Sequence, residues 1–241
     1  MPHTLFISDL HLSPDTPAAT HTLLRFLRDT APRADALYVL GDLFEYWIGD
    51  EGLAQPFAMQ VAQAFRAVAD GGMPVYFMHG NRDFLIGERF AFVSGMQLLP
   101  DPTIVDLYGT PTLLMHGDTL CSADLEYQKF RSMVRNPAWQ KAFLAKPLDE
   151  RVRMAREVRG QSEQAKRVKN MTIMDVTPET VEAAFRAHHY ARLIHGHTHR
   201  PARHEHQVDG RTCERWVLAD WYDHGSYLLC DADGCRAQPL G

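Results

Sequence analysis

Five short apolar runs of this chain each end in a cluster of Asp, His, Asn or Gly, which strongly constrains the fold. The runs occupy residues 4–7, 36–40, 74–78, 112–115 and 191–194. Continuous apolar runs of this length are typical of buried β-strands. Helical periodicity appears between the first three runs, at residues 20–29 and 54–69. The alternation of strands and helices indicates a layered α/β sheet.

The remaining chain adds two further features to this pattern. Residues 121–170 show helical periodicity with breaks near Pro137 and Pro147, and they interrupt the series of strands. We expect a single domain over residues 1–241 that carries a helical cap inserted at about 121–170. Residues 215–222 and 226–231 predict an antiparallel hairpin. His204 and His206 are expected in a loop, without a metal role.

Composition is that of a soluble globular protein, with 45% hydrophobic and 23% charged residues. No apolar run approaches the ~18 residues of a membrane-spanning helix. The first residues lack a basic segment followed by an apolar one, so we expect no secretory signal. The four cysteines show neither zinc-ligand spacing nor a paired framework, and a reducing cytoplasm is the simplest location.

Charge is distributed unevenly along the chain, whose formal net charge is −5. Residues 121–170 hold 12 Lys or Arg against 6 Asp or Glu, whereas the remainder is acidic. This local excess indicates either an anion-binding surface or a solvated helical face. The chain is acidic overall and has no basic stripe interleaved with aromatic residues, which argues against nucleic-acid binding.

The polar clusters after the strands predict a metal centre, because the carboxyl ends of strands in an open α/β sheet converge on a ligand site. Their donors are carboxylates, imidazoles and one amide, which suit Mn²⁺ and also Fe, Co or Zn. Asp42 is the best candidate for a bridge between two ions, since its carboxylate has two oxygens. The candidate ligands are Asp9, His11, Asp42, Asn81, His116, His197 and His199.

The ordered motifs resemble those of the calcineurin-like metallophosphoesterases from residue 4 to about 201. They read Asp9-x-His11, Gly41-Asp42, Gly80-Asn81, His116 and Gly196-His197-x-His199. The resemblance implies a β-sandwich flanked by helices and a dinuclear metal centre. One metal would take Asp9, His11, Asp42 and His199, and the other Asp42, Asn81, His116 and His197.

Two such ions activate and orient a water molecule for attack on phosphorus. Asp42, Asn81, Arg82 and His116 are therefore the candidate catalytic residues. Many family members have His after the Gly-Asn pair, as an acid for the leaving alkoxide, but this chain has Arg82. Arginine stays protonated and can hold a phosphate but cannot act as a general acid. We therefore expect a substrate whose leaving group is itself a phosphate.

Asp83 is expected to orient Arg82 or a metal ligand.

Longer strings resemble a narrower family, the UDP-2,3-diacylglucosamine pyrophosphatases of lipid A biosynthesis. They include residues 7–12, 41–50, 80–84, 116–120 and 194–201. The resemblance implies hydrolysis at the UMP phosphorus, which yields UMP and 2,3-diacylglucosamine 1-phosphate (lipid X). It also implies Mn²⁺ as cofactor and a peripheral location on the cytoplasmic face of the inner membrane.

The insertion contains candidate substrate contacts. Ser162, Lys166 and Lys169 share one helix face at i, i+4 and i+7. The resemblance implies that these positions and Asp124 contact substrate, together with Asn81, Arg82 and His197. The apolar residues of the insertion are expected to line a cleft for acyl chains or to pack as ordinary helices. A further expectation is that basic residues meet anionic lipid headgroups, namely Arg151, Arg153, Arg156 and Arg159.

Two alternatives remain open from the sequence. One is a phosphoesterase on the same scaffold that acts on a soluble dinucleotide or cyclic nucleotide. The other is a non-catalytic scaffold, although such a protein would be expected to lose metal ligands. No protein partner is predicted. Glu45, Asp50 and Glu51 are expected to be structural or solvent-facing, and His79 and His195 to pack or to support ligands.

Overall fold

The computed structural model describes residues 1–168, 174–222 and 225–240. For residues 159 and 161–168 it describes the backbone only. The strands are β1 (Thr4–Ile7), β2 (Ala36–Leu40), β3 (Val75–Met78), β4 (Met96–Leu99), β5 (Thr103–Leu107), β6 (Thr110–Met115), β7 (Arg192–His195), β8 (Ala202–Val208), β9 (Arg211–Val217), β10 (Ser226–Asp231) and β11 (Gly234–Pro239). The helices are α1 (Pro17–Asp29), α2 (Pro56–Asp70), α3 (Glu88–Ser94), α4 (Leu125–Val134), α5 (Pro137–Leu144), α6 (Leu148–Val168) and α7 (Pro178–Ala187).

The strands form two sheets that pack face to face. The first has the order β11-β10-β1-β2-β3-β4, and the second has the order β5-β6-β7-β9-β8. Within them β1, β2, β3 and β4 run parallel, as do β6, β7 and β9. Alternation of side chains along each strand sends one set inward, so that Phe6 and Leu40 of the first sheet join Leu114 and Ile194 of the second in one apolar cluster. This inter-sheet core confirms the predicted sandwich.

Helices cover both outer faces of the sandwich. Leu5 and Ile7 point away from the second sheet and pack with Phe26 of α1 and Phe65 of α2. On the other side, α7 packs against the outward side chains of β6 and β7. The result is four layers in the order helix, sheet, sheet, helix, with loops at the carboxyl ends of the parallel strands left uncovered by these helices.

The predicted helical segment contains α4, α5 and α6, separated near Pro137 and Pro147 as expected. Phe143 is buried, and Trp139, Val152 and Met154 pack against the core cluster of the first sheet. Ordinary helix packing therefore accounts for these apolar side chains. Leu144 and Leu148, in contrast, are exposed.

Arg151 was expected among the basic residues that meet lipid, and this expectation is wrong. Its side chain is 3% exposed and pairs with Glu51 Oε1 at 2.9 Å. It also donates to the carbonyl oxygen of Ile48 at 2.6 Å. Arg151 therefore fastens α6 to the body of the protein, and Glu51 has a structural role.

The expectation of a hairpin between residues 215–222 and 226–231 is wrong. Strand β9 pairs with β7 and β8 in the second sheet, whereas β10 pairs with β1 and β11 in the first. The intervening segment crosses between the sheets, and Trp221 in it donates its backbone N–H to the carbonyl oxygen of Asp9 at 3.1 Å. The hairpins in this region are β8–β9 and β10–β11.

Two other local expectations are also corrected. His204 and His206 belong to strand β8 and not to a loop, because residues 202–208 pair with β9 along their full length. Cys230 and Cys235 lie opposite each other on β10 and β11 and form a disulfide, although the sequence suggested no paired cysteines. Sequence spacing alone does not reveal that register.

Candidate metal centre

The seven predicted ligands follow directly after five parallel strands, and the structure brings their side chains together. Asp9 and His11 follow β1, Asp42 follows β2, and Asn81 follows β3. In the second sheet, His116 follows β6, and His197 and His199 follow β7. Because the carboxyl ends of these strands converge, residues up to 190 positions apart in the chain become neighbours in one site.

The backbone at this site is unusual. Five of the seven residues have positive φ angles, between 48° and 68°. They are Asp9, His11, Asp42, His197 and His199. Non-glycine residues in this left-handed region cost on the order of 1 kcal/mol or more each, and such strain clusters at functional sites. The fold therefore accepts local strain in order to aim these side chains at one another.

Two glycines permit the close approach of the loops. A Cβ atom on Gly80 would collide with the carboxylate and backbone nitrogen of Asp42. A Cβ atom on Gly196 would collide with Asp9 and Ser8. The glycines that precede Asn81 and His197 in the motifs are therefore required by packing against the neighbouring carboxylates.

A first group of donors consists of Asp9, His11 and His199. The Nε2 atoms of the two histidines lie 3.2 Å apart. Asp9 Oδ1 lies 3.4 Å from His199 Nε2 and 4.0 Å from His11 Nε2. This oxygen is buried and has no hydrogen-bond partner among the described residues. A buried, unpartnered carboxylate oxygen beside two converging imidazole nitrogens is the arrangement that a divalent cation satisfies.

A second group consists of Asp42, His116 and His197, with Asn81 beside them. Their candidate ligand atoms lie within 4.8 Å of one another. Asn81 Oδ1 lies 3.0 Å from His116 Nε2 and 2.9 Å from His197 Nδ1. The amide oxygen thus points at the same place as the two imidazole nitrogens.

Asp42, a member of the second group, also faces the first group. Its Oδ2 atom is 3.7 Å from His11 Nε2, and its Oδ1 atom is 3.7 Å from His116 Nε2. Each oxygen of one carboxylate therefore faces a different group. This geometry matches the bridging role that the sequence assigned to Asp42.

The histidines are oriented by partners on their other ring nitrogens. His116 Nδ1 is 2.9 Å from the carbonyl oxygen of Leu40, to which it donates. His11 Nδ1 lies 3.1 Å from Glu45 Oε2, and His199 Nδ1 lies 3.5 Å from Asp220 Oδ2. The hydrogen bond of His116 fixes its tautomer and leaves Nε2 available as a ligand, while the nearby carboxylates leave the Nε2 atoms of His11 and His199 facing the centre.

Glu45 lies against the candidate site, a position that the sequence analysis did not predict. It is buried, and its second oxygen lies 3.7 Å from Nη1 of Arg82. It therefore contacts both a candidate ligand and the candidate phosphate-binding arginine. A carboxylate three residues after Asp42, within the apolar string Leu43-Phe44…Tyr46-Trp47, was the available signal, because a charge in an apolar stretch needs a partner.

Replacing Glu45 by Ala is expected to weaken metal binding by about 10–100-fold, since it frees the ring of His11. Titration of metal-depleted protein with Mn²⁺, followed by paramagnetic relaxation of water protons, measures this change. Glu88→Ala, which removes a surface carboxylate at the start of α3, is the matched control. Unchanged Mn²⁺ affinity in Glu45→Ala would show that Glu45 does not support the centre.

Asp83 and Asp118 support the loops that carry the site. The buried carboxylate of Asp83 accepts backbone N–H bonds from Gly80 at 2.9 Å and from Leu43 at 2.7 Å. Burial, with repulsion from Asp42, raises the pKa of Asp83 to about 7. Asp83 thus ties the loop after β2 to the loop after β3, which agrees with the expectation that it positions a ligand.

Asp118 links the helical insertion to the site, a role that the sequence analysis missed. Its Oδ2 atom accepts from the hydroxyl of Tyr127 at 2.6 Å and from Nε of Arg131 at 2.7 Å. The Tyr127 ring lies 5.9 Å from the ring of His197. Helix α4 is therefore held against the candidate centre.

The charges at the site favour a cation. Burial opposes protonation of His116, yet Asp42, Asp118 and Asp9 raise its pKa to about 9. The pKa of His11 is likewise raised by its carboxylate neighbours against the effect of burial. This excess of negative charge attracts a positive ion, which would in turn compete with these protons.

Of the other predicted site residues, Arg82 lies beside this centre, and the remainder belong to the helical insertion. Arg82, whose side chain is 14% exposed, donates its backbone N–H to Asp42 Oδ1 at 2.8 Å. Asp124 caps α4 by accepting from the backbone of Tyr127 at 3.1 Å. The side chains of Ser162 and Lys166, and the whole of Lys169, lie outside the described residues. Of the two histidines expected in supporting roles, His79 lies 2.7 Å from the Ile86 carbonyl oxygen through Nε2.

Comparisons with known proteins agree with this geometry. The family model described as calcineurin-like phosphoesterase matches residues 2–201. A relative from Xanthomonas axonopodis pv. citri, named UDP-2,3-diacylglucosamine hydrolase, is 53% identical over 98% of both chains. A relative of the same name from Stenotrophomonas maltophilia is 52% identical over 98% of both chains.

A third relative of that name, from Xanthomonas oryzae pv. oryzae, is 54% identical over 96% of both chains. The family match and the two donor groups together support a divalent metal cofactor. The chain belongs to the calcineurin-like phosphoesterase family.

Proposed function

We propose that this chain hydrolyses the pyrophosphate bond of UDP-2,3-diacylglucosamine, with attack at the UMP phosphorus, in lipid A biosynthesis. The products are UMP and 2,3-diacylglucosamine 1-phosphate. The relatives that carry this substrate in their names match nearly the whole chain at 52–54% identity. The observation that carries the proposal is the Asp42 carboxylate, whose two oxygens face two separate donor groups beside Arg82.

The proposed cofactor is a pair of Mn²⁺ ions. One oxygen of Asp42 completes the first donor group, and the other completes the second, to which Asn81 also belongs. The donors are oxygens and imidazole nitrogens without a thiolate, a set that suits Mn²⁺. When bound, such ions polarise phosphoryl oxygens and lower the pKa of water.

Arg82 determines which leaving group the site accepts. Its guanidinium stays protonated and offers donors to two phosphoryl oxygens, so it stabilises negative charge without releasing a proton. A phosphate leaves as an anion that Arg82 can hold, whereas an alkoxide would need a proton. This chemistry favours cleavage of a pyrophosphate over cleavage of a simple phosphomonoester.

The proposed substrate contacts come from two parts of the chain, the residues at the centre and the helical insertion. Asn81, Arg82 and His197 would contact phosphate at the centre. Asp124, Ser162, Lys166 and Lys169 would contact the remaining phosphate and sugar oxygens from the insertion.

The diacyl substrate is expected to show a kcat/KM at least about 100-fold above that of UDP-N-acetylglucosamine, which has the same pyrophosphate without the acyl chains. Each buried methylene contributes ~0.8 kcal/mol, so burial of four would supply roughly this factor. Initial rates of UMP release measure both reactions. Cyclic nucleotides and dinucleotides test the alternative of a phosphoesterase that acts on soluble nucleotides. Faster turnover of any of these compounds than of the diacyl substrate would contradict the proposal.

We further propose that the protein lies on the cytoplasmic face of the inner membrane as a peripheral protein. Among the described residues, no helix has the length and apolarity needed to cross a membrane. Helix α6 exposes the basic side chains of Arg153 and Arg156 and also the apolar side chains of Leu148 and Val158. Basic and apolar side chains on one helix suit an anionic lipid surface.

Vesicles of phosphatidylglycerol are expected to co-sediment the protein, and vesicles of phosphatidylcholine to bind it far less. Arg153→Glu/Arg156→Glu removes attraction worth roughly 1 kcal/mol per charge, so binding falls by a factor of about 10 or more. Arg28→Glu on α1 provides the control. Equal binding by the double variant and the wild type would reject this surface.

A further inference from the structure

A pocket of about 490 Å³ lies beside the loop that carries His197 and His199. It is formed by strands β8 and β9, the loop after β7 and the start of α7, and the proposed reaction does not use it. The polar side chains that line it are Asp175, Thr198, Arg200, His204, His206 and Arg215.

Arg215 is the buried base of this pocket, with 6% of the residue exposed. Its Nε donates to His206 Nε2 at 3.2 Å, and its Nη1 donates to His195 Nε2 at 3.0 Å. Both acceptors are imidazoles. Among the residues that the structure describes, no carboxylate lies within 4.0 Å of this guanidinium.

Asp175 is the one carboxylate among the described residues that line the pocket, and its charge offsets that of Arg215 only in part. Asp175 already pairs with Arg200. Burial, with repulsion from Arg215, lowers the pKa of both His204 and His206, so that the two imidazoles are neutral near pH 7. Burial also lowers the pKa of Arg215 itself. A buried charge whose nearest carboxylate is already paired with another arginine is unfavourable, and an anion in the pocket would offset it.

Two further observations concern the neighbours of Arg215 in this pocket. The Oγ1 atom of Thr198 is buried and has no hydrogen-bond partner among the described residues. His204 lies directly opposite Arg215 across the β8–β9 ladder, so their side chains share one face of the sheet.

We propose that this pocket binds a small oxyanion of the phosphate class, held by Arg215 and Thr198. Guanidinium groups bind phosphate oxygens through two parallel hydrogen bonds. Arg215 also holds His195, whose Nδ1 donates to the carbonyl oxygen of Gly196 at 2.8 Å. The anion is thereby linked by two hydrogen bonds to the loop that carries two candidate metal ligands.

Isothermal titration of manganese-loaded protein with inorganic phosphate tests the site by its stoichiometry. Wild-type protein is expected to bind one more phosphate per chain than Arg215→Met. Arg203→Met removes an arginine from the neighbouring surface of β8 and should bind as many phosphates as the wild type. Equal manganese content in the three proteins shows that phosphate at the metal centre is common to them and cancels in the comparison. Equal stoichiometry in wild type and Arg215→Met would overturn the proposal.

His204→Glu provides an independent test should Arg215→Met fail to fold. The new carboxylate would lie opposite Arg215 and take the place of the anion. This variant is expected to lose the additional phosphate site and, in phosphate-free buffer, to melt about 2 °C or more above the wild type. His204→Gln should keep both the site and the melting temperature. A His204→Glu variant that retains the site, or melts no higher than the wild type, contradicts an anion at Arg215.

Discussion

Asp42→Ala is expected to lower kcat by a factor of about 10³ or more, which corresponds to about 4 kcal/mol of transition-state stabilisation. The reason is that this one carboxylate faces both donor groups, at 3.7 Å from His11 Nε2 and 3.7 Å from His116 Nε2. Its removal would take one oxygen donor from each group and would leave His11 and His116 without their shared carboxylate neighbour. UMP release under saturating Mn²⁺ measures the loss.

The controls for this variant separate charge from fold. Asp42→Asn keeps the shape but halves the oxygen donors, and it should also lose most activity. Asp15→Ala removes an exposed carboxylate from the loop after β1 and should leave kcat unchanged. Retention of a tenth of wild-type kcat by Asp42→Ala would contradict a shared carboxylate.

Arg82→Ala is expected to lose about 2–4 kcal/mol of transition-state stabilisation, by analogy with the loss of one oxyanion donor. That range corresponds to a fall in kcat/KM of roughly 30- to 1,000-fold. Metal content should remain that of the wild type, because the contacts of the guanidinium are with Glu45 and not with the candidate ligands. Kinetics with the diacyl substrate, paired with metal analysis of the same samples, measure the two effects separately.

Arg82→Lys tests whether geometry or charge matters at this position. Lysine supplies the positive charge without the planar pair of donors, so it should recover only part of the activity. Wild-type kcat/KM in Arg82→Ala would reject the phosphate-binding role, and loss of metal in that variant would assign Arg82 to the support of the centre.

The sequence predicted the strands and the convergence of the candidate ligands because the signals for both are local. A buried parallel strand is a short apolar run, and a ligand at its end is the first polar residue beyond it. Strands β1 and β2 begin and end at the predicted residues, and the donor atoms of all seven predicted ligands converge. The regular spacing of polar residues after strands therefore carries the information about the centre.

Features that depend on pairing across the fold were not predictable in this way. The strands β9 and β10 are adjacent in sequence but belong to different sheets, since register and sheet membership are decided by long-range packing. Glu45 and Asp118 were underestimated because their partners come from other elements. The sequence around Arg151 is typical of a basic, solvent-exposed helix, yet its side chain is buried and pairs with Glu51, 100 positions away in the chain.

The central claim is that two cations occupy the two donor groups on either side of Asp42. Anomalous diffraction at the manganese absorption edge, from crystals of manganese-loaded protein, locates such ions directly. The account predicts two peaks, one beside Asp9, His11 and His199 and one beside Asn81, His116 and His197, with an oxygen of Asp42 adjacent to each. A single peak, or two peaks that do not share Asp42, would contradict it.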